Sequence, residues 1–274
     1  MSPATRSRRR ALWNPWRRPA AHAPWLDDSF TDAAAQVISF FGDEGVDLRG
    51  TRVADIGCGD GVMDLGLFLQ AGPSALVGFD IKQVNPADLL ARAAAEGAVP
   101  AGGTAALPDG LRFDVCEPDR LPAEDASFDH VFSWSAFEHV LRPLPVLGEI
   151  HRVLRPGGML MIQLWPFYHS KHGSHLWDWF PEGFGQLLHD PFEVERRVRD
   201  ESDRGPAWTD ALLEAFRELN RMTLDDLHRA LLQTHFDVVK VELVSEPFHI
   251  PVAISHLPLS LLAIAGVKLL AVPR

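Results

Sequence analysis

The most constraining feature of this chain is the segment from Val53 to Gly61, which reads V-A-D-I-G-C-G-D-G. An apolar run passes abruptly into glycines, as expected where a buried strand enters a tight turn and then a helix. Glycine supplies positive φ angles and a bare backbone that a ligand can approach. A second apolar run ends in Asp80, about twenty residues after the glycines, where a carboxylate can hold ribose hydroxyls. Together the two segments predict a nucleotide-cofactor site.

The spacing of the glycines discriminates between cofactors. A dinucleotide fingerprint requires G-x-G-x-x-G, but the sixth position is Val62 when counted from Gly57 and Asp64 when counted from Gly59. The chain instead has an acid followed by G-x-G-x-G. A catalytic tyrosine-lysine pair is also missing, because the sole tyrosine, Tyr168, is followed by lysine at the third position and not at the fourth. A nicotinamide-dependent oxidoreductase is therefore the weaker alternative.

Four segments resemble, in the right order, motifs of the class I S-adenosylmethionine-dependent methyltransferases. They are D-I-G-C-G-D-G at 55–61, F-D-H-V-F-S-W at 128–134, F-E-H-V at 137–140 and L-R-P-G-G at 154–158. The first resembles the cofactor loop, the second the fourth strand, the third the turn after it, and the fourth the loop before strand five. The resemblance covers residues 30–165 well and the last strand weakly. It implies S-adenosyl-L-methionine as the cofactor.

The resemblance also implies the cofactor contacts. They are Asp55, Gly57, Cys58, Gly59, Gly61, Asp80, Ile81, Asp114, Val115, Ser133 and Trp134. We expect the loop, including the backbone amide of Cys58, to meet the methionine part, and Asp55 to order the loop or meet the cofactor's ammonium group. Asp80 would accept hydrogen bonds from the ribose hydroxyls.

The remaining cofactor contacts follow the third and fourth strands. Asp114 and Val115 would contact the adenine, and Ser133 and Trp134 would flank the sulfonium. Simpler roles stay open: a helix cap for Asp80, a turn carboxylate for Asp114, and core packing for Trp134.

The alternation of strands and helices predicts an α/β fold. We expect a doubly wound, Rossmann-like, seven-stranded and mostly parallel sheet with helices on both faces. The predicted strands are 52–56, 75–80, 111–115, 128–134, 158–165, 236–244 and 266–272. A length of 274 residues with 46% hydrophobic residues suits one such domain. The net charge of -11 argues against a general nucleic-acid binder.

The domain boundaries follow from charge and apolar pattern. Residues 1–26 carry six arginines within the first eighteen positions, with no apolar run after them, and are predicted to be a disordered basic tail. Contact of this tail with anionic lipid or a partner is the alternative. Residues 27–274 form the predicted methyltransferase domain, starting with a helix over 28–41 capped by Ser29 or Thr31. An insertion over about 166–235 is interpreted as a substrate lid.

The apolar segment 257–272 is the one stretch that resembles a membrane span. It falls short of the roughly twenty residues required and contains Lys268, so we predict no stable membrane insertion, with surface attachment as the alternative. We divide it into a helix over 255–265 and the last strand. The two cysteines, Cys58 and Cys116, provide neither a disulfide framework nor zinc spacing, which is typical of the cytoplasm.

The insertion opens with an aromatic and histidine-rich stretch, W-P-F-Y-H-S-K-H-G-S-H-L-W-D-W-F at 165–180. Long insertions at a ligand edge are usually functional. We expect its aromatics to form an apolar pocket and His175 to act in the substrate site. The H-x-x-H-x-x-H spacing with Asp178 nearby is also compatible with a metal site. Three such histidines would face one way only on a helix, and Gly173 interrupts that helix, so no metal is assigned. An ordinary surface loop is the other alternative.

The predicted activity is methyl transfer to an oxygen or nitrogen atom of a small-molecule, lipid-like or saccharide acceptor. An oxygen or nitrogen acceptor has to lose a proton, and His139, in the turn after the fourth strand, is positioned to act as the base or to orient the acceptor. Structural support of the turn is the simpler role for His139. Besides the oxidoreductase, the alternative is a protein that binds S-adenosylmethionine without catalysis. No oligomeric state is predicted.

Overall fold

The computed structural model describes residues 27–95, 97–99 and 106–274. The basic tail predicted for residues 1–26 lies outside the described residues. Within the described part, the chain forms a single seven-stranded sheet covered by helices.

The sheet has the strand order β3-β2-β1-β4-β5-β7-β6. Its strands are β1 Arg52–Ile56, β2 Ala75–Asp80, β3 Leu111–Val115, β4 Phe128–Trp134, β5 Leu154–Leu164, β6 Phe236–Val244 and β7 Gly266–Pro273. The first five strands pair in parallel, whereas β7 runs antiparallel to both β5 and β6. This confirms the predicted α/β fold. The order reverses between β1 and β4, so the carboxyl ends of these two strands border the crevice where such sheets bind ligands.

Nine α-helices are present in the described residues. They are α1 Ala34–Gly42, α2 Val62–Ala71, α3 Pro86–Ala95, α4 Pro143–Val153, α5 Gly185–Leu188, α6 Pro191–Glu201, α7 Pro206–Arg217, α8 Leu224–Gln233 and α9 Leu259–Ala263. A π-helical segment, Asp27–Ala33, leads directly into α1. Thr31 therefore lies inside the helical segment and not at its start, which corrects its predicted role as a cap.

Two apolar clusters cover the two faces of the sheet. Successive strand residues point to opposite faces, and on β1 Val53 packs with α1 and α2, whereas Ala54 packs with α4 and α8. Helix α8 begins at a capping box in which Thr223 and Asp226 satisfy each other's backbone N–H groups. Its residues Leu227 and Leu231 are fully buried in the cluster that also contains Ala54, which we call the main core.

A third apolar cluster lies outside the sheet, in residues 166–222, which we call the accessory segment. The cluster joins the turns after β5 to α6 and α7. Its buried members are Tyr168, Leu176, Trp179, Phe180, Val194, Val198, Leu213, Phe216 and Leu219. Helix α8 packs in the main core, so this cluster covers a shorter part of the chain than the range of about 166–235 predicted for the lid.

Two predicted boundaries differ from the structure. Strand β5 starts at Leu154 and not at residue 158, because Leu154 pairs with Phe128 before a register shift brings Met159 opposite His130. The helix predicted over 255–265 is reduced to α9, preceded by a short 3-10 turn. Pro258 lacks an N–H group and fixes the start of α9. No helix in the described part of the chain is both long and apolar enough to cross a membrane.

Candidate active site

The glycine loop after β1 is closed by hydrogen bonds from its own backbone. The N–H groups of Gly57 and Cys58 both donate to the carbonyl of Phe79, at 2.8 and 3.2 Å. The N–H of Gly61 donates to the carbonyl of Cys58, at 3.0 Å. The amide of Cys58 is thus used within the protein, which corrects the expectation that it faces the cofactor. Burial also raises the pKa of the Cys58 thiol, so this side chain is a small apolar group and not a nucleophile.

Steric contacts explain why the loop consists of glycines. All three, Gly57, Gly59 and Gly61, have positive φ angles, of 83°, 58° and 79°. A Cβ atom on Gly57 would lie 2.4 Å from the Cβ of Ala136, and one on Gly61 would lie 2.6 Å from the Phe113 ring. A Cβ atom on Gly59 would meet nothing within 4 Å. The loop is therefore packed closely at both ends and open at Gly59, where a ligand can approach it.

The carboxylate of Asp80 connects the end of β2 to this loop. Its Oδ2 accepts a hydrogen bond from the N–H of Gly59 at 2.9 Å, and its Oδ1 accepts one from the N–H of Lys82 at 2.8 Å. Asn85, and not Asp80, accepts from the first N–H groups of α3, so Asp80 is not the helix cap. Each carboxylate oxygen can accept a second hydrogen bond. Asp80 is partly exposed and can offer those positions to a ligand.

Two apolar side chains are exposed beside this acid. Ile81 is 56% exposed and Val115 is 47% exposed, and Val115 is the register partner of Asp80 on the adjacent strand. Exposed apolar residues at the carboxyl edge of a parallel sheet suit a flat apolar ligand. Asp114 accepts an ion-pair contact from Arg112 at 2.9 Å, with its carboxylate still partly accessible. The two predicted adenine contacts, Asp114 and Val115, therefore lie at the end of β3, and Ile81 lies just after the end of the neighbouring strand β2.

Asp55 forms a buried pair with an acid that the sequence did not single out. Asp55, at the end of β1, and Asp64, in α2, are 2% and 0% exposed, and each carboxyl group affects the pKa of the other. Both carboxyl oxygens of Asp64 and one of Asp55 have no hydrogen-bond partner among the described residues. Burial raises the pKa of both carboxyls. The negative charges of neighbouring acids raise it further, Asp64 and Asp80 for Asp55, and Asp60 and Asp80 for Asp64. We infer that the two carboxyls share one proton, which would link α2 to the strand that leads into the glycine loop.

Ser133 and Trp134, at the end of β4, face different surroundings. The Ser133 hydroxyl is buried and donates to the carbonyl of Ile56 at 2.7 Å, which joins the carboxyl ends of β4 and β1. Trp134 is partly buried and packs against the core cluster that includes α2. The hydroxyl of Ser133 is therefore engaged within the sheet, whereas part of the Trp134 ring is accessible.

The turn after β4 packs directly on the glycine loop, through the Gly57–Ala136 contact. It is held by Gln163 of β5, whose side-chain oxygen accepts from both the N–H and the hydroxyl of Ser135, at 2.8 and 2.9 Å. Ser135 has a φ of 48°, an uncommon angle for a residue other than glycine. The turn then continues as a 3-10 helix, Phe137–His139.

Asn220, at the end of the accessory segment, clamps this 3-10 turn. Its side-chain amide donates to the carbonyls of Phe137 and Val140 at 2.6 and 2.8 Å, and its backbone N–H donates to the carbonyl of Glu138 at 2.9 Å. Three hydrogen bonds from one residue fix the position of the turn relative to the accessory segment.

His139 and His175, the two predicted catalytic residues, are brought together. Their ring centroids are 5.5 Å apart, and the His175 ring lies 6.2 Å from that of Trp177. His175 adopts a left-handed φ of 60°. Burial lowers the pKa of His139 and lowers that of His175 to about 3, so both imidazoles are neutral. Neutral imidazoles can accept a proton or bind a metal.

Glu138 joins this histidine pair from the same turn. It is 3% exposed, and burial raises the pKa of its carboxyl to about 8. The other members of the predicted histidine run point elsewhere: the ring of His169 contacts Tyr168, and the Nε2 atom of His172 lies 3.7 Å from a carboxylate oxygen of Glu246. The H-x-x-H-x-x-H spacing therefore does not bring its three histidines to one point.

Four of these positions were not selected from the sequence as site residues: Asp64, Glu138, Gln163 and Asn220. A signal existed for two of them, because Asp64 and Gln163 are polar residues within otherwise apolar segments, V-M-D-L-G-L and M-L-M-I-Q-L. Glu138 belongs to the F-E-H-V motif, but the motif does not indicate a role for it. Nothing local marks Asn220, because its partners lie about eighty residues earlier in the chain.

Comparison with known proteins agrees with this geometry. Residues 54–162 match the sequence family described as "Methyltransferase domain". The chain is 29% identical over 143 residues to a ubiquinone biosynthesis O-methyltransferase of Roseobacter denitrificans, covering 49% of this chain and 52% of that protein. It is 34% identical over 116 residues to a tRNA U34 carboxymethyltransferase of Methylococcus capsulatus, covering 42% of this chain and 32% of that protein.

A solved structure shares the fold over most of its length. A geranyl diphosphate methyltransferase, solved in complex with S-adenosylmethionine, superposes with a TM-score of 0.53 at 16% identity, covering 88% of this chain and 85% of that one. The chain spans only about a third to a half of the two curated relatives described above. Residues 54–162 therefore belong to a methyltransferase domain, and the strand order is that of the class I S-adenosylmethionine-dependent methyltransferase fold. S-adenosyl-L-methionine is the methyl donor of such domains.

Proposed function

We propose that this protein transfers the methyl group of S-adenosylmethionine to an oxygen or nitrogen atom of a small-molecule acceptor. One observation carries the proposal. The glycine loop, tied to Asp80 on one side, packs against Ala136 on the other, and the turn that contains Ala136 presents His139 to His175. A cofactor seated on the loop would thus have the histidine pair on its methyl side.

The chemistry requires little from the protein beyond placement. Transfer of a sulfonium methyl group is a direct displacement, which is accelerated by holding donor and acceptor in line and excluding water. In the proposed complex, the free acceptor positions of Asp80 take the ribose hydroxyls, and Ile81 and Val115 contact the adenine. His139 and His175 then act on the acceptor, whose oxygen or nitrogen has to lose a proton.

Neighbouring aromatic rings support a ring-shaped acceptor. The rings of Trp165 and Trp177 lie 6.2 Å apart, and Trp177 lies 6.2 Å from His175. Both tryptophans are partly exposed. These indole rings could pack against the apolar face of a saccharide or a lipid-like ring. The imidazoles would then form hydrogen bonds with its polar groups. The accessory segment is then the substrate lid.

The location proposed for this enzyme is the cytoplasm. Its support is chemical: both cysteines, Cys58 and Cys116, are free thiols and burial raises the pKa of each, that of Cys116 to about 11. Unpaired, protonated thiols suit a reducing compartment.

The first test is calorimetric binding of S-adenosylmethionine and S-adenosylhomocysteine to the purified chain, with NADH and NADPH as comparisons. Micromolar binding of the two sulfur nucleotides, without binding of the nicotinamides, is the expected result. A preference for a nicotinamide would favour the oxidoreductase.

The second test is a screen of hydroxylated and amine acceptors with S-adenosylmethionine labelled in its methyl group. Turnover that falls in His175→Ala, with cofactor affinity unchanged, is expected. Binding of the sulfur nucleotides without turnover on any acceptor class would favour the non-catalytic alternative.

A further inference from the structure

Three side chains converge where the Phe137–His139 turn meets the accessory segment. Glu138, His139 and His175 each offer one ligand atom, and these atoms all lie within 4.8 Å of one another. Around a shared divalent ion, with bonds of about 2.0 to 2.2 Å, ligand atoms lie about 3 to 3.5 Å apart. Small side-chain rotations can close that difference. We propose that these three residues bind one divalent transition-metal ion through two imidazole nitrogens and one carboxylate oxygen.

The burial of Glu138 points to a cation at this place. The side chain is 97% withdrawn from solvent, and neither carboxylate oxygen has a hydrogen-bond partner among the described residues. Burying a carboxylate without a donor or a positive charge is strongly unfavourable. A metal ion between Glu138 and the two imidazoles would supply the missing partner of the two carboxyl oxygens.

His175 shows the same feature from the opposite side. Its Nε2 atom is buried and has no partner in the described part of the chain. The backbone holds the residue in the left-handed region, within a turn in which its own N–H donates to the carbonyl of His172 at 3.1 Å. Such conformations persist where the surrounding structure enforces them. The accessory segment therefore turns an unsatisfied imidazole toward an unsatisfied carboxylate.

Surrounding hydrogen bonds hold the ligand-bearing turn in place. Asn220 binds the carbonyls on both sides of Glu138 and that of Glu138 itself. Gln163 fixes Ser135 at the start of the same turn. Residues behind the ligands that restrict their orientation are a general requirement of metal sites.

The donor set indicates the class of ion. Imidazole and carboxylate ligands suit divalent manganese, iron, cobalt, nickel or zinc, whereas magnesium and calcium favour oxygen ligands alone. Three protein ligands also leave coordination positions open, as in catalytic rather than structural sites. The open positions would accept oxygen atoms of a substrate.

This part of the inference rests on the proposed function. An acceptor hydroxyl bound to the ion has a lowered pKa and releases its proton to solvent. The alkoxide oxygen attacks the methyl carbon, the new C–O bond forms as the C–S bond breaks, and the sulfur keeps the electron pair in S-adenosylhomocysteine. The histidines then act as ligands of the ion, and the acceptor is a hydroxyl compound.

The test uses the full chain after chelator treatment and dialysis. Calorimetric titration with zinc or cobalt is expected to show one ion per chain, and cobalt should give visible absorption bands typical of nitrogen ligation. Glu138→Gln is the decisive variant, because it keeps the shape of the side chain and removes the carboxylate ligand. We expect it to fold without metal and to bind the ion roughly a hundredfold or more weakly.

Thermal unfolding measures metal binding independently of calorimetry. With zinc at about a hundred times its dissociation constant, the wild-type Tm should rise by about 5 to 10 °C, and that of Glu138→Gln should not. His169→Ala is the matched control, because it removes a nearby histidine that is not part of the triad. It should keep both the stoichiometry and the Tm shift.

Two results would overturn the metal site: no saturable binding to the wild type, or binding that is lost in His169→Ala but retained in Glu138→Gln. Affinity for S-adenosylhomocysteine separates this proposal from the proposed function. Cofactor binding without metal binding defeats only the metal site, whereas metal binding without cofactor binding defeats only the methyl transfer.

Discussion

The two sides of the candidate active site differ in whether backbone or side chains form their surface. The cofactor side consists of backbone: a glycine loop whose N–H groups are bound by Phe79 and Asp80, with no room for side chains at Gly57 or Gly61. The proposed acceptor side consists of large side chains, imidazoles and indoles, carried by a segment with its own small apolar core. The packed glycine loop therefore tolerates few substitutions. The accessory segment can change its surface residues as long as its apolar core is kept.

If the two sides are separate, damage to the accessory core should spare the cofactor site. Leu213→Ala deletes a fully buried side chain from the accessory cluster and is expected to cost about 2 to 5 kcal/mol of local stability. Hydrogen exchange should accelerate in α6 and α7 and stay slow in β1 and β4, with unchanged affinity for S-adenosylhomocysteine.

Leu212→Ala is the matched control for that experiment, because Leu212 is the neighbouring position and only partly buried. We expect it to cost about 1 kcal/mol. A parallel loss of cofactor affinity in Leu213→Ala would show that the two sides form one cooperative unit.

On the cofactor side, the loop should not tolerate a side chain at its packed end. Gly57→Ala would place two Cβ atoms 2.4 Å apart at a φ of 83°, so the loop has to move, at an expected cost of about 2 to 4 kcal/mol. Chemical denaturation without cofactor measures this loss.

Gly59→Ala sharpens the same test, because its Cβ meets nothing within 4 Å. We expect about 1 to 2 kcal/mol from the left-handed backbone alone, but a larger loss of cofactor affinity than of stability. Equal stability losses in the two variants would contradict the steric account.

Asp80→Ala tests the charged contact of the cofactor side. It removes the acceptor for Gly59 and the proposed ribose ligand, and each charge-assisted bond contributes about 1.5 to 3 kcal/mol. Calorimetry should show affinity for S-adenosylhomocysteine reduced tenfold or more in a folded protein. Asp109→Ala, an exposed carboxylate before β3, should change nothing. An unchanged dissociation constant in Asp80→Ala would remove Asp80 from the site.

The smallest expected effect concerns the proton shared by Asp55 and Asp64. Because the folded-state pKa of both carboxyls is raised, the folded protein binds more protons than the unfolded chain above about pH 4, and stability falls as pH rises through the folded-state pKa. Asp64→Asn replaces the proton with a permanent amide donor. The variant should lose less stability between pH 5 and 8 and be more stable at pH 8 by about 1 kcal/mol.

Denaturant midpoints across this pH range measure the difference. Asp225→Asn, an exposed carboxyl in the first turn of α8, is the control and should follow the wild type within about 0.5 kcal/mol. Identical pH profiles for Asp64→Asn and the wild type would show that no proton is shared.

Much of the fold could be predicted because buried parallel strands are visible as continuous apolar runs. The predicted bounds of β1, β2, β3 and β4 coincide with the observed ones. The early start of β5 was missed, because it depends on a register shift against β4 that no local pattern encodes. The helix predicted over 255–265 was too long. The prediction followed the apolar composition of the segment, whereas Pro258 makes the helix start only at Leu259.

The candidate site divides in the same way. Asp80 and the glycines were selected because spacing along the chain specifies their positions. The pairing of Glu138 with His175, and of Asn220 with the turn after β4, joins segments about forty and eighty residues apart. Such contacts depend on how the accessory segment folds back, and its aromatic and histidine-rich composition carries no helical or strand period from which that path could be inferred.

The separate apolar cluster of the accessory segment also bears on how this protein can change over generations. Leu176, Val198 and Phe216 stabilise one another and not the sheet. Mutations of the aromatic residues beside them should therefore not require compensating mutations in the sheet and the glycine loop. Directed-evolution libraries confined to this segment should yield a high fraction of folded variants, and new acceptor preferences are most accessible there.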